Sequence, residues 1–488
     1  MTHCASVSVL DLSRIVPALI GGETVLDGGT LDVRDPATDA VVASVASVGE
    51  AETTRAIDAA RDALASWSGR PVSERAAVVR KLGELMLECQ DELALLMTRE
   101  QGKPLRESRG EIAYAASFLS DAADRSSELG GTIEPSARAN HRILTIRKPI
   151  GVCGIITPWN FPSAMITRKL GPALVAGNTA VVKPAELTPL SALAIGALAG
   201  EAGVPAGVVN IVVGEPGPIG RAITSDARVR KLSFTGSTAV GRELIAACAP
   251  TVKRVSMELG GHAPFIVFDD ADLDRAVAGV VASKFRNGGQ TCICANRVLV
   301  HESVHDAFVG KLASRMGDLS VGVGTDEATD IGPLVSDAGL EKVERHVADA
   351  RARGGAVVAG GERVAVSGAA DRFYAPTLIT GMTSDMLCAQ EETFGPVAPV
   401  RSFSTEDEAI DLAHDTEYGL AAYFDTRDPS RLVRVAERLE YGIIGANDAL
   451  PSAAPAPVGG FKQSGLGREG GAWVFAEYTE TSYVSLGV

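Results

Sequence analysis

Between residues 151 and 268, short apolar runs alternate with stretches whose apolar residues recur at helical spacing. This beat constrains the fold more than any other feature of the chain. The runs 152–156, 179–182, 208–213, 231–234, 255–258 and 264–268 predict strands. The stretches 163–175, 189–202 and 237–247 predict helices, with Thr188 placed to cap the second and Pro189 in its first turn. Such alternation implies a mostly parallel, doubly wound α/β sheet, whose ligands bind beyond the carboxyl ends of the strands. A second βα series continues to about residue 465, with helices predicted over 271–285, 304–316, 338–353 and 406–414. Upstream, 17–48 reads as short strands, and 50–67, 73–99 and 107–127 as helices. Residues 132–147 alternate like a hairpin, which alone is barely stable in water and needs a partner.

A chain of 488 residues supports more than one domain. Its net charge of −15 argues against nucleic acid or an anionic membrane as the main partner. An anionic ligand therefore needs locally placed Arg, Lys or helix N-termini. Seven cysteines, at 4, 89, 153, 248, 292, 294 and 388, have spacings that suit neither a disulfide framework nor a metal site, which reads as a reducing cytoplasm. No HExxH or similar ligand spacing occurs, so no metal is expected. No signal peptide and no uncharged membrane-spanning stretch is visible.

Several glycine-rich turns carry chemistry-bearing side chains. Phe285-Arg286-Asn287-Gly288-Gly289-Gln290-Thr291-Cys292-Ile293-Cys294 follows a helical run and leads into a strand. Taken alone, Cys292 reads equally as a nucleophile or as a small buried hydrophobe. Met257-Glu258-Leu259-Gly260-Gly261 adds a carboxylate, and Thr157-Pro158-Trp159-Asn160-Phe161-Pro162 an amide donor. Gly236-Ser237-Thr238-Ala239-Val240-Gly241 looks like half a phosphate loop, but Arg242-Glu243 stand where Lys-Ser/Thr is required. A strand, Gly-Ser and a helix still form a good anion site.

Together with Lys183-Pro184-Ala185-Glu186, Phe234-Thr235-Gly236-Ser237 and Glu392-Thr393-Phe394-Gly395-Pro396, these stretches resemble the aldehyde dehydrogenase superfamily, in the family's order and over nearly the whole chain. The resemblance implies a Rossmann-like NAD-binding domain (1–128 and 148–257), an α/β catalytic domain (258–465) and a β-hairpin oligomerisation arm (129–147 with 470–488). It implies that the hairpin and the C-terminal strand 481–488 meet across subunits of a homodimer or homotetramer. Cys292 would attack the aldehyde, Asn160 would hold the oxyanion, and Glu258 would activate the water that frees the acid. The cofactor set would be Ile156, Trp159, Lys183, Glu186, Gly214, Phe234, Ser237, Leu259, Glu392 and Phe394. A carboxylate at 186 repels a 2′-phosphate, so NAD is expected over NADP.

Ala164-Met165-Ile166-Thr167-Arg168-Lys169 and Lys284-Phe285-Arg286-Asn287 are similar to the succinate-semialdehyde dehydrogenase branch. By that resemblance Arg168, Arg286 and Ser452 hold the substrate's distal carboxylate. The chain departs from the family's pattern at Val458, where Phe is usual, at His262, and in the prolines at 451 and 455. Those departures leave open glutarate or 2-oxoglutarate semialdehyde, a sulfonated aldehyde, or broad specificity. Cys294, two residues from Cys292, suggests a reversible disulfide switch. The reading overall is an NAD-dependent aldehyde oxidoreductase (EC 1.2.1.-).

Overall fold

The computed structural model describes residues 10–488, so the N-terminal expectations, including Cys4, lie outside the described residues. Three larger sheets and two two-stranded ones organise the described residues. The first has eight strands, in the order Glu23–Val25, Ala18–Ile20, Val209–Ile211, Thr179–Lys183, Val152–Ile156, Val229–Thr235, Arg254–Glu258, Gly465–Leu466. Its five central strands are parallel. From Val152–Ile156 the chain winds first towards 209–211 and then back to 229–235, which creates a topological switch point at 152–156. The runs read as strands from the sequence are strands here, within a residue or two at each end.

The second sheet has seven strands, in the order Ala356–Ala359, Thr377–Thr380, Val397–Phe403, Ala295–His301, Ala263–Val267, Ala421–Asp425, Ile443–Ala446. All its pairs are parallel except the outermost at 356–359. Central strands such as Ala263–Val267 are buried along their whole length, which explains their continuous apolar reading. Helices cover these sheets; among the described residues the sequence reading missed three α-helices, Pro216–Ser225, the short Leu387–Gln390 and Pro429–Arg438. The single helix expected over 73–99 is two, Val72–Glu88 and Gln90–Gln101, broken at Cys89.

Two expectations need correction. Thr188 stands at the N-cap of Pro189–Glu201 but makes no capping bond. Glu100, from another helix, accepts the N–H groups of Leu190 (2.7 Å) and Ser191 (2.9 Å) instead. Second, the C-terminal strand Thr479–Gly487 pairs antiparallel with His141–Pro149 of the same chain, not of another subunit, in a three-stranded sheet with Ile133–Pro135. Val474, Phe475 and Tyr478, in the segment assigned to the arm, are buried in the core under the first sheet and deliver residue 479 beside residue 149. Cys153, Cys248, Cys292, Cys294 and Cys388 are free thiols. Cys89 is disulfide-bonded, so the expectation of thiols throughout does not extend to it. Among the described residues no helix is long and apolar enough to cross a membrane.

Candidate active site

The loop carrying Cys292 is shaped by three consecutive residues with left-handed backbone: Asn287 (φ 51°), Gly288 (61°) and Gly289 (75°). Asn287 is the one with a side chain, and that side chain fastens the loop. Its Nδ2 donates to the Asn160 carbonyl at 3.0 Å, its Oδ1 accepts from Gln101 Nε2 at 3.0 Å, and its N–H donates to Glu107 at 2.7 Å. Asn160 Nδ2 in turn donates to the Gln290 carbonyl at 3.0 Å. Lys103, buried and paired with Glu111 at 2.6 Å, also donates to the Asn160 carbonyl. Gly261 brings the strand end that bears Glu258 against this loop: a Cβ there would lie 2.2 Å from the Cys292 carbonyl. The structure thus brings Cys292, Asn160 and Glu258 together from three stretches, the outermost more than a hundred residues apart.

Cys292 lies where two cavities meet. The larger, about 370 Å³, is lined by Trp159, Asn160, Ser237, Leu259, Glu392 and Phe394, among others. Ser237 caps the helix Thr238–Cys248, so that helix presents its N-terminus to the cavity, a natural seat for a pyrophosphate. Trp159 and Phe394 meet edge to face at 5.5 Å, and Phe394 holds a positive φ of 58°. Glu392 accepts from the Gly261 N–H at 3.2 Å, and burial pushes its carboxyl up to about 7. A cradle with a helix N-terminus, an aromatic pair and a carboxylate fits a dinucleotide.

Ile156, Lys183, Glu186, Gly214 and Phe234 do not line this cavity. They lie along the same edge of the sheet: Ile156 pairs in register with both Lys183 and Phe234. Lys183 donates to Glu186 at 2.8 Å. Burial would raise Glu186, but Lys183 outweighs it and holds the carboxyl below its usual value. Gly214 also has a packing reason to be glycine, since a Cβ would sit 2.2 Å from the Val48 carbonyl.

The narrower cavity is about 30 Å³, on a scale where one water needs roughly 10–15 Å³. It is lined by Cys292, Glu258, Arg168, Arg286, Ser452, Val458 and Tyr114, among others. The two arginines differ. Arg168 Nε donates to Glu469 at 2.6 Å, and Lys169 shares the same carboxylate. Among the described residues Arg286 has no ion pair; its guanidinium lies over the Phe161 ring at 5.1 Å and acts on the Glu107 carboxylate from further off.

Burial pushes the Cys292 thiol up to about 12, with Glu392 adding to the effect and Arg168 opposing it. Glu258 is raised well above the carboxylate range, first by burial and then by Glu469, with Arg168 and Lys169 pulling the other way. Its Oε1 is buried without a hydrogen-bond partner. Cys294 lines neither cavity. Its thiol is buried, has the Gly289 carbonyl (3.4 Å) and Asn296 Oδ1 (3.5 Å) as acceptors for its one proton, and accepts from Lys284 Nζ at 3.6 Å.

Sequence reasoning missed Glu469, Lys169, Tyr114 and Lys342, which reaches the larger cavity and donates to the Glu392 carbonyl at 2.5 Å. The residues at 107, 111, 114 and 118 carried a readable signal, because that spacing puts them on one helix face.

The model of the aldehyde dehydrogenase family matches residues 25–484. The glutarate-semialdehyde dehydrogenase of Pseudomonas aeruginosa is 51% identical, over 94% of this chain and 95% of that protein. Succinate-semialdehyde dehydrogenase [NADP(+)] GabD of Escherichia coli K12 is 51% identical, over 96% and 98%. The 3-sulfolactaldehyde dehydrogenase of Pseudomonas putida is 49% identical, over 94% of each. The crystal structure of succinate-semialdehyde dehydrogenase from Burkholderia pseudomallei superposes with a TM-score of 0.96 at 53% identity, covering 98% of this chain and 99% of that one.

Proposed function

This chain belongs to the aldehyde dehydrogenase family, and we propose that it oxidises a small aldehyde with a distal anionic group, succinate or glutarate semialdehyde foremost, to the free acid using NAD. The observation that carries this reading is Arg286, a guanidinium with no ion pair in the same narrow cavity as Cys292 and Glu258. Arg286 is half-buried rather than enclosed, so its guanidinium can stay charged and offer its free N–H groups to a ligand's anion. Arg168 can add its remaining N–H groups and Ser452 its hydroxyl.

The residues divide the chemistry as follows. Cys292 starts as a thiol, so its proton must leave as sulfur bonds to the aldehyde carbon, and Glu258 is the base in the same cavity. The resulting oxyanion takes hydrogen bonds from the Asn160 amide and the Cys292 N–H. A nicotinamide dinucleotide seated between Ser237, Trp159, Glu392 and Phe394 would supply the two-electron oxidant that turns this adduct into a thioester. Glu258 passes that first proton on to solvent, then accepts a proton from water as the hydroxyl adds, and returns it to sulfur as the C–S bond breaks to give the acid and the restored thiol.

For the cofactor, Glu186 supports NAD, because a carboxylate held ionised by Lys183 disfavours a 2′-phosphate. The similar GabD is named for NADP(+), so the choice rests on Glu186 in this chain. Ile133, Tyr483 and Leu486, exposed on the three-stranded sheet, support association of copies as a homodimer or homotetramer. The five free thiols support a reducing compartment such as the cytoplasm, and the disulfide at Cys89 argues the other way. The division into NAD-binding, catalytic and arm segments remains part of this reading.

The test is NADH formation across succinate, glutarate and sulfonated aldehydes and uncharged aldehydes of equal length. The anionic substrates should lead in kcat/KM by tenfold or more, roughly one charge-assisted hydrogen bond. Equal efficiency with uncharged aldehydes would overturn the reading in favour of a broad-specificity enzyme. A lead for the sulfonated aldehyde would move the substrate to that head group.

A further inference from the structure

We propose that Tyr114 is a specificity-determining residue, its phenol O–H donating to the substrate's distal anion beside Arg168 and Arg286. The inference rests on the anionic-aldehyde reading above and adds a neutral donor to it.

The helix Leu105–Asp124 lays one face along the site. Glu107 accepts the Asn287 N–H at 2.7 Å. One turn on, Glu111 accepts the N–H groups of Ser163 (2.9 Å) and Ala164 (3.2 Å) and pairs with Lys103. These two carboxylates anchor the Cys292 loop and the start of the helix that carries Arg168. The next residues on the same face are Tyr114 and Phe118. Their rings meet edge to face with centroids 4.7 Å apart, and the Arg168 guanidinium lies 5.8 Å from the Phe118 centroid. Phe118 therefore braces both the phenol and the guanidinium.

Tyr114 lines the narrow cavity together with Arg168, Arg286 and Ser452. Its hydroxyl oxygen is buried and has no hydrogen-bond partner. A buried hydroxyl without a partner is costly, and a phenylalanine would pack the same ring without that cost. A hydroxyl kept at the wall of a cavity that already holds an unpaired guanidinium points to a ligand oxygen as its partner. Arg168 spends its Nε on Glu469, so the cavity gains from another donor that carries no charge of its own.

The experiment compares wild type with Tyr114→Phe, measuring kcat/KM and KM for succinate semialdehyde and for an uncharged aldehyde of the same length. The quantity read is the ratio of the two kcat/KM values within one preparation, which is independent of how much of the variant is folded. The ratio should fall by about 10- to 100-fold, the scale of a hydrogen bond to a charged group, mainly through KM for the anionic substrate. A wild-type enzyme that prefers the anion, with the ratio unchanged in Tyr114→Phe, overturns the proposal and leaves the anionic-aldehyde reading standing. A wild-type ratio near one overturns both.

Discussion

Arg168 and Arg286 carry the same charge into one cavity, but their surroundings predict opposite balances of stability and activity. The perturbation is Arg286→Met and, separately, Arg168→Met, which keep an apolar stem and remove the guanidinium. Arg286 is in no ion pair among the described residues; its removal costs the contact with Phe161, a cation–π interaction of about 0.5–1 kcal/mol, and a longer-range attraction to Glu107. Arg168 is buried and shares Glu469 with Lys169. Removing one partner from a buried pair costs about 3–5 kcal/mol, and Lys169 remains, so a value near 3 kcal/mol is expected. Both variants lose hydrogen bonds to a substrate anion, each of about 1.5–3 kcal/mol, or roughly 10- to 150-fold in kcat/KM. Chemical denaturation gives the first pair of numbers, and NADH formation with anionic and uncharged aldehydes the second. Arg286→Met should be nearly as stable as wild type and selectively poor with anionic aldehydes. Two results would refute the reasoning: an equal loss for Arg286→Met with charged and uncharged substrates, or an Arg168→Met variant no less stable than Arg286→Met.

Glu258, raised by burial and Glu469, is protonated well above the usual carboxylate range and cannot act as a base there. Thioester hydrolysis should therefore slow as pH falls, with its inflection above the ordinary value near 4.5, and Glu258→Gln should remove that inflection. An inflection at the ordinary value in stopped-flow turnover would contradict the burial argument. Glu186→Ser removes the carboxylate that opposes a 2′-phosphate, and the ratio of kcat/KM for NAD over NADP should drop by about tenfold or more. If wild type already uses both cofactors equally, Glu186 does not select.

Much of the architecture was legible because its signals are local. A buried parallel strand must be apolar along its length, so 152–156 or 263–267 could be read from a few residues. The turn residues were legible for a similar reason: Gly261 and Gly289 are required by backbone atoms 2.2 Å from where a Cβ would stand. The missing parts depend on long-range contacts. Glu469 meets Lys169 across 300 residues, and nothing near Gly470 announces a partner. Thr188 looked like a cap, but the bonds it would have made go to Glu100, 90 residues away. The C-terminal strand read correctly as a strand, but its partner was set by how the preceding buried turn is packed.

These long-range partners decide the chemistry, because the motif supplies the groups and the surroundings set their charge. Lys103 is answered by Glu111, and Glu469 answers Arg168 and Lys169 together. One positive charge is left over there, and Arg286 adds another. An ionised Glu258 would cancel one of them, but burial and Glu469 oppose that ionisation. Glu107, drawn on by both Lys103 and Arg286, offsets part of this surplus, and what remains is a local anion trap that the overall charge of −15 hides. Arg168, one of the two arginines that would receive the substrate's anion, is the first to favour Glu258 as a carboxylate. In the proposed reaction, Arg168 therefore serves both head-group recognition and the readiness of the base, whereas Arg286 and Tyr114 bear on recognition alone.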